Sequence, residues 1–411
     1  MADLGRRYWI LWSAFSSANF GDGVSLVAFP LLAVGLTNDA RLVALVALFR
    51  FLPFIVFGLP AGLILDRFDR RRIAIAAQIV RGGVLGALAL VVLGGGASIA
   101  ALSVAGFVVG SGEVLTDGGL PAIVRDLVRP EQLEVANSRL SASQTATNAF
   151  IGPPLGALAF GIDPAAPLLI SALAFVSAAA ALVTLPGRFR PLVASSDDSS
   201  SPSLLAELTV GLRYVWGHPV LRPLAATVAV FSFAGSAGNT VFVILATERL
   251  GLGPLGFGLL ISLSAVASVT MSFFVARLVV KLGHAGSMRL AVVTFTVGAV
   301  LLGTTTFVAV AAVAMVVVGV SQPAWDVVSS TIRQRLVPDE VFGRMMTAYL
   351  FIAWGLQPAG VMVGGFVAEA WGPQWVYVGS GALVGSLLLI GRPLFVQVTR
   401  SMAPVEGPGS V

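Results

Sequence analysis

Four ionisable residues stand where the surrounding sequence is almost wholly apolar. They are Asp22, within Ser16-Ser17-Ala18-Asn19-Phe20-Gly21-Asp22-Gly23, and Arg50, Arg81 and Glu113. An unpaired charge in hydrocarbon costs several kcal/mol, so such residues mark proton relays, ion paths or paired bridges. If each lies on a helix rising about 1.5 Å per residue, Arg81 and Glu113 reach a similar depth in the cytoplasmic third. Asp22 and Arg50 can meet nearer the middle, which gives two acid–arginine pairs. Arg81–Glu113 reads as a bridge that fixes helix register. Asp22, flanked by glycines and placed to line a central cavity, reads as a proton-coupling carboxylate, because a desolvated acid can trade a proton near neutral pH. Arg50 or Arg81 would modulate it. Asp326, beside Pro323-Ala324-Trp325, reads as a gate or capping residue near a helix end.

The elements that carry these charges follow from composition. Of 411 residues, 57% are hydrophobic and 11% charged, with a mean hydropathy of +0.93. Soluble proteins average roughly 45–50% apolar and about 25% charged residues, and a single core stops growing near roughly 250–300 residues. A soluble enzyme, a disordered scaffold and a secreted disulfide module are therefore excluded, leaving a membrane-embedded chain. There is no cysteine, which removes disulfides and thiolate chemistry. His218 and His284 fall in polar, loop-like stretches and make poor metal ligands, so no metal and no cofactor is expected. The single lysine, Lys281, is not in a phosphate-binding loop, which excludes an ATP-driven pump in the same chain. No clustered His, Asp or Cys suggests an enzyme. The net charge of +5 reads as loop charge that orients the protein in a bilayer rather than a nucleic-acid surface. Arg6-Arg7 precedes an apolar stretch without a small-residue cleavage site, so the first helix reads as uncleaved.

Apolar runs alternate with short polar breaks, and a membrane span needs about 20 apolar residues. Spans are expected near 8–36, 42–65, 73–94, 97–117, 133–160, 166–185, 220–247, 255–280, 287–306, 307–331, 342–369 and 374–395. No strand alternation of the barrel type appears, so the fold is all-α and polytopic, with twelve transmembrane helices. A cytoplasmic N-terminus leaves only Arg41 and Arg249 as basic residues on the outer side. This asymmetry puts both termini in the cytoplasm. The organisation expected is a six-helix bundle over 1–185, a linker over 186–219, a second six-helix bundle over 220–396 and a tail over 397–411. Within the linker, Ala194-Ser195-Ser196-Asp197-Asp198-Ser199-Ser200-Ser201 reads as flexible. Leu204, Leu205, Leu208, Leu212, Val215 and Trp216 have the spacing of an amphipathic helix on the inner membrane surface.

The halves repeat. A shift of 208 residues lays Arg125 on Arg333, Pro130 on Pro338, Gly152 on Gly360 and Gly156 on Gly364. Repeated bundles with a site between them at mid-membrane are a common plan of secondary transporters. The loop Gly62-Leu63-Ile64-Leu65-Asp66-Arg67-Phe68-Asp69-Arg70-Arg71-Arg72 exceeds what charge asymmetry alone requires. It resembles the loop motif of the major facilitator superfamily, with Asp69 where many members carry a second glycine. That departure is similar to the drug:proton antiporter branch with macrolide-efflux proteins and siderophore exporters. Asn148-Ala149-Phe150-Ile151-Gly152-Pro153-Pro154-Leu155-Gly156 resembles the core of the antiporter motif through Gly152, Pro153 and Gly156, although Asn148 and Ala157 replace glycines.

The resemblance implies the major facilitator fold, two pseudo-symmetric bundles, and a cytoplasmic gate built on Gly62, Asp66, Arg67 and Arg70, with its partner helix beginning near Gly343-Arg344. It also implies that the first, fourth, seventh and tenth spans line the cavity, where Asn19, Phe20, Phe233, Asn239, Gln322 and Trp325 are the candidate substrate contacts. Many proton-coupled members carry an arginine in the fourth span. Here Ser103-Val104-Ala105-Gly106-Phe107-Val108-Val109-Gly110-Ser111-Gly112 has none. The expected function is export of an amphipathic small organic molecule (drug, macrolide, siderophore or secondary metabolite) by alternating access, in antiport with protons. The rivals are a lipid or lysophospholipid flippase, an uncoupled facilitator, and a non-transporting receptor or assembly partner. The expected partners are that substrate, protons and membrane lipids; the chain reads as a monomer of the bacterial cytoplasmic membrane. Because the chain lacks cysteine, Arg41→Cys and Ser199→Cys are clean single-label sites. An impermeant maleimide on intact cells should modify the first and spare the second; equal modification would contradict the topology.

Overall fold

The computed structural model describes residues 4–57, 61, 64, 65, 67–187, 189 and 204–401. Among these the chain is helical, without strands. The helices are α1 (Gly5–Leu36), α2 (Ala40–Val56), α3 (Arg70–Leu93), α4 (Ile99–Leu127), α5 (Leu133–Gln144), α6 (Gly152–Ile162), α7 (Ala166–Thr184) and α8 (Leu204–Gly217). They continue with α9 (Leu221–Ile244), α10 (Pro254–Thr304), α11 (Val308–Leu336), α12 (Asp339–Gly355), α13 (Gln357–Trp371), α14 (Pro373–Ile390) and α15 (Arg392–Ser401). Nine helical stretches among the described residues are long and apolar enough to cross a membrane. Large apolar side chains also face outward, including Leu90, Leu173, Phe273, Val280 and Ile390. A water-facing protein would bury such groups; an outward surface of this kind suits lipid.

Local chemistry sets the boundaries. Asp39, Asp69 and Ser98 cap α2, α3 and α4, their side chains accepting from the amides of Arg41, Arg72 and Ala101 at 2.8, 3.1 and 3.2 Å. The Arg41 guanidinium bonded to Asp39 holds that carboxyl down at about 2, so the cap survives well below the ordinary carboxylate range and is lost only as pH falls through that value. His218 caps α9, its Nδ1 accepting from Val220 N at 3.2 Å, so it is a helix cap. The 51 residues of α10 exceed any bilayer crossing, and Gly283, at φ +70°, bends the chain between two helices merged into that run. Between α5 and α6 a π-helical turn spans Thr145–Ile151. The following Pro153 and Pro154 have no N–H, which frees carbonyls four residues back. Ser262 Oγ donates to one of them, Phe150 O, at 3.2 Å.

Two compact units emerge, and they cut across the order of the chain. One holds the first half together with Ala237–Ala265 and Val361–Pro373; the other holds Val266–Gly360 with the segment before Ala237 and the chain from Gln374. Small residues draw the late segments into the first unit. Gly258 lies against Pro153 O and Ala157 Cβ, each 2.8 Å from where a Cβ would stand, and Gly365 lies against Ala44. The Ala40 amide, in the first turn of α2, donates to Glu369 at 2.8 Å. At the end of the first unit that holds the start of α1, Tyr8, Leu11, Ile123, Val124, Leu140 and Leu182 form an apolar cluster, and Tyr8 donates to Ala136 O at 2.8 Å. In the second unit α8, the amphipathic helix expected from sequence, packs along α12, with Gly211 against the backbone of Arg344. The Ser/Asp tract expected to be flexible lies outside the described residues.

The α1–α6 contact gives a direct test of close packing. A Cβ on Gly156 would stand 2.7 Å from Val24 O, and one on Gly152 2.7 Å from the Gly23 backbone, whereas Gly83 on α3 has nothing within 4 Å. Gly156→Val should cost about 1–3 kcal/mol by overpacking and lower the melting temperature of detergent-solubilised protein. Gly83→Ala should leave it unchanged or raise it. Equal effects would contradict the packing.

Candidate functional site

The site begins with glycine. On α4, Gly106, Gly110 and Gly112 present bare backbone to α2 and α3, and Gly110 meets the carbonyl of Arg50 itself. A Cβ on Gly112 would lie 2.6 Å from Cδ of Arg81. These glycines let two arginine stems lie flat against α4, so the arginines reach inward from neighbouring helices. An arginine carried by α4 itself is not needed for positive charge at this depth.

The four intramembrane charges form one cluster rather than two pairs. Arg81 Nη2 bonds Asp22 Oδ1 and stands 4.0 Å from Glu113 Oε2. Arg50 Nη2 stands 3.6 Å from Asp22 and 3.9 Å from Glu113. Both pairs expected from the sequence, Asp22–Arg50 and Glu113–Arg81, occur, but each arginine reaches both acids, and the unexpected Asp22–Arg81 contact is the tightest. Depth alone does not reveal the cross-contacts. Close approach at Gly21, whose Cβ would meet Phe175 at 3.0 Å, and at Gly82, 2.9 Å from Val176, brings α1 and α3 onto α7 and so toward each other.

Further contacts hold the cluster. The Arg81 guanidinium lies 4.0 Å from the Phe175 ring centroid, and its Nη1 donates to Gln78 at 3.4 Å. Arg50 donates to Ser25 Oγ at 3.3 Å and lies over Phe29 at 5.6 Å. Arg81 is 1% exposed, Asp22 7%, Arg50 13% and Glu113 24% by side chain, a gradient from a sealed pair to an accessible acid. Arg81 Nε is buried with no hydrogen-bond partner among the described residues.

Sequence reasoning missed Asp117. It lies one turn beyond Glu113 on α4, exposed, and no ion pair or hydrogen bond joins it to the described residues. Its signal was present in the spacing, but the expected end of the fourth span near 117 placed it at the membrane edge; α4 continues to Leu127. Arg333 was also missed. Named in the sequence only as the repeat counterpart of Arg125, it is buried on α11, with Nη1 donating to Ser329 Oγ at 2.6 Å and the guanidinium 4.0 Å from the Tyr349 ring centroid. Asp326 is exposed on the same helix, four residues after Gln322.

The remaining candidates separate by burial. In the first unit Asn19 is buried, its Nδ2 donating to Phe15 O at 2.9 Å; Phe20 is half-buried and Asn239 exposed. In the second unit Phe233 is half-buried, Gln322 is exposed, and Trp325 is 3% exposed, stacked on Phe231 at 5.1 Å. Of the loop motif, Gly62 and Asp66 lie outside the described residues. Arg67 is exposed, and Arg70 begins α3, its amide donating to Phe189 O at 3.2 Å. Asp69, which stands where the motif carries glycine, accepts from Phe189 N at 3.1 Å in addition to capping α3. Arg71 donates from Nε to Leu182 O at 2.8 Å and from Nη2 to Val183 O at 2.6 Å, satisfying carbonyls at the end of α7. Gly152, Pro153 and Gly156 serve the helix contacts described above. No group of three or more His, Cys, Asp or Glu residues arranged to hold a metal occurs among the described residues.

A family model described as Major Facilitator Superfamily matches residues 11–357. The chain is 25% identical over 398 residues to the multidrug efflux pump Tap of Mycolicibacterium fortuitum, covering 93% of each chain. It is 20% identical over 403 residues to macrolide efflux protein A of Streptococcus pyogenes, covering 93% of this chain and 95% of the relative. Among solved structures it is similar to the nucleoside transporter NupG, with TM-score 0.73 and 13% identity over 96% of this chain and all of the other. It is likewise similar to a bacterial homologue of the iron transporter ferroportin in an inward-facing state, with TM-score 0.73 and 19% identity over 97% of this chain and all of the other.

Removing one member of the sealed pair should be worse than removing both charges. Arg81→Ala strands Asp22 and should cost about 3–5 kcal/mol; Asp22→Asn with Arg81→Gln should recover much of that. Thermal unfolding in detergent measures both, and additive losses would contradict a coupled pair.

Proposed function

Because this chain belongs to the Major Facilitator Superfamily, we propose that it is a secondary exporter of amphipathic organic molecules, driven by the return of protons. The observation that carries this reading is the charge cluster of α1, α2, α3 and α4. A buried, mixed-charge group is weak evidence for stability alone, since apolar packing of equal volume often serves as well. Placed in a transporter, it supplies what coupling needs: a carboxylate whose protonation alters how four helices hold together. The two efflux proteins among the relatives support outward movement, and the apolar, aromatic character around the candidate contacts suits drug- or macrolide-like cargo.

The architecture proposed is twelve spans in two six-helix bundles joined by the 186–219 linker, working by alternating access. The nine apolar stretches support that number when the second helix within the bent α10, α2, and the α5–α6 composite are counted as spans too. Both termini face the cytoplasm, the membrane is the bacterial cytoplasmic one, and Gly62, Asp66, Arg67 and Arg70 gate the inner side.

Everted membrane vesicles carrying the protein test the reading. An imposed pH gradient, acid inside, should drive accumulation of ethidium or erythromycin several-fold above vesicles lacking the protein, and nigericin should abolish it. Accumulation that persists after the gradient is collapsed would contradict proton antiport and favour a flippase or facilitator.

A further inference from the structure

We propose that Asp117, rather than Asp22, is the carboxylate that takes and releases the coupling proton, with Glu113 relaying its charge state to Arg81. This inference rests on the proton-coupled reading above and names the residue that executes it.

The groups facing one another are Asp22 on α1, Arg50 on α2, Arg81 and the neutral Gln78 on α3, and Glu113 on α4, with Asp117 one turn farther along α4; Arg70 of α3 lies beside Gly119. Three carboxylates meet two guanidiniums, so the cluster carries one excess negative charge until a proton arrives. Which acid accepts it follows from geometry. Asp22 is sealed, bonded to Arg81 and 3.6 Å from Arg50. Neutralising it would leave Arg81, 1% exposed, facing a neutral acid, with only Glu113, 4.0 Å away, as counterion, an arrangement that buried charge resists. Glu113 stands between the two arginines at 3.9 and 4.0 Å, so they already favour its charge. Asp117 has neither arginine in an ion pair, is exposed, and lies four residues from Glu113 on the same helix face, where like charges repel. An ionised side chain on an apolar helix is tolerated when it faces water or a polar interior instead of lipid. Asp117 is therefore the acid with access to bulk protons and the least electrostatic reason to stay charged.

The consequence of protonation reaches the pair. A proton from water adds to one Asp117 carboxylate oxygen, and no other bond changes. Repulsion on Glu113 disappears, freeing it to close on Arg81. Arg81 Nε, buried and without an acceptor, is the donor waiting for that approach. Loss of the proton reverses the movement. The sealed Asp22–Arg81 pair stays ionised throughout and gives Glu113 a fixed partner to close upon.

The test uses the full chain in proteoliposomes with ethidium or erythromycin, whichever the wild type carries. Two readouts are taken: uptake driven by a pH gradient, and exchange of labelled for unlabelled compound at equal pH, which needs no net proton movement. Asp117→Asn should reduce driven uptake at least ten-fold while exchange stays within two-fold of wild type, and Asp117→Glu should restore driven uptake. Driven uptake at the wild-type level in Asp117→Asn overturns the proposal. So does loss of both readouts that Asp117→Glu fails to restore, because Asp117 would then be structural. A wild type that exchanges the compound but shows no pH-driven uptake defeats the antiport reading itself, and the assignment of Asp117 with it.

Discussion

Burying the Arg81 guanidinium is the constraint on which the first unit turns. A charge held at that depth is tolerable only with an ionised partner in contact and its remaining faces occupied. Asp22 supplies the partner, Phe175 the covering ring, Gln78 an acceptor and Gly112 the space for the stem. Each comes from a different part of the sequence, so α1, α3, α4 and α7 are held in one register by a single side chain. The glycines at 21, 82 and 112 follow from the same requirement, since bulkier residues would hold the helices too far apart for the contact to form.

The cluster also shows how stability and function are divided. Exposure rises from the sealed Asp22–Arg81 pair through Arg50 to Glu113, and the outermost acid, Asp117, faces no arginine in an ion pair among the described residues. The sealed end holds the helices; the open end is where a proton can act. A single acid asked to do both would break the helix contact each time it changed charge. Arg333, Ser329 and Tyr349 form a smaller buried polar group in the second unit, again an arginine over an aromatic ring.

Much of this was legible in the sequence. Hydropathy located most of the helices to within a few residues, because apolar length is a local property, although α4 runs on to Leu127, past its expected end near 117. The membership read from the 62–72 and 148–156 segments agrees with the family match. The four intramembrane charges stood out for the same reason, as ions in an apolar text. Their pairing did not, because it depends on which helices approach, and that is set by Cβ-free surfaces at Gly21, Gly82 and Gly110 that have no periodic signature. Asp117 was passed over because helix ends are the least certain part of a sequence reading. Arg71 was seen only as loop charge; its bonds to the last carbonyls of α7 require knowing that α7 ends beside α3.

The central claim is that one carboxylate of this cluster titrates while the sealed pair stays ionised. Infrared difference spectra of the purified protein between about pH 5 and pH 9, where an unperturbed Asp or Glu is already ionised, read protonated carboxyl groups directly. A protonated-carboxyl band that survives in Asp22→Asn and disappears in Asp117→Asn is the predicted result. A band that vanishes with Asp22→Asn and persists without Asp117 would contradict the account.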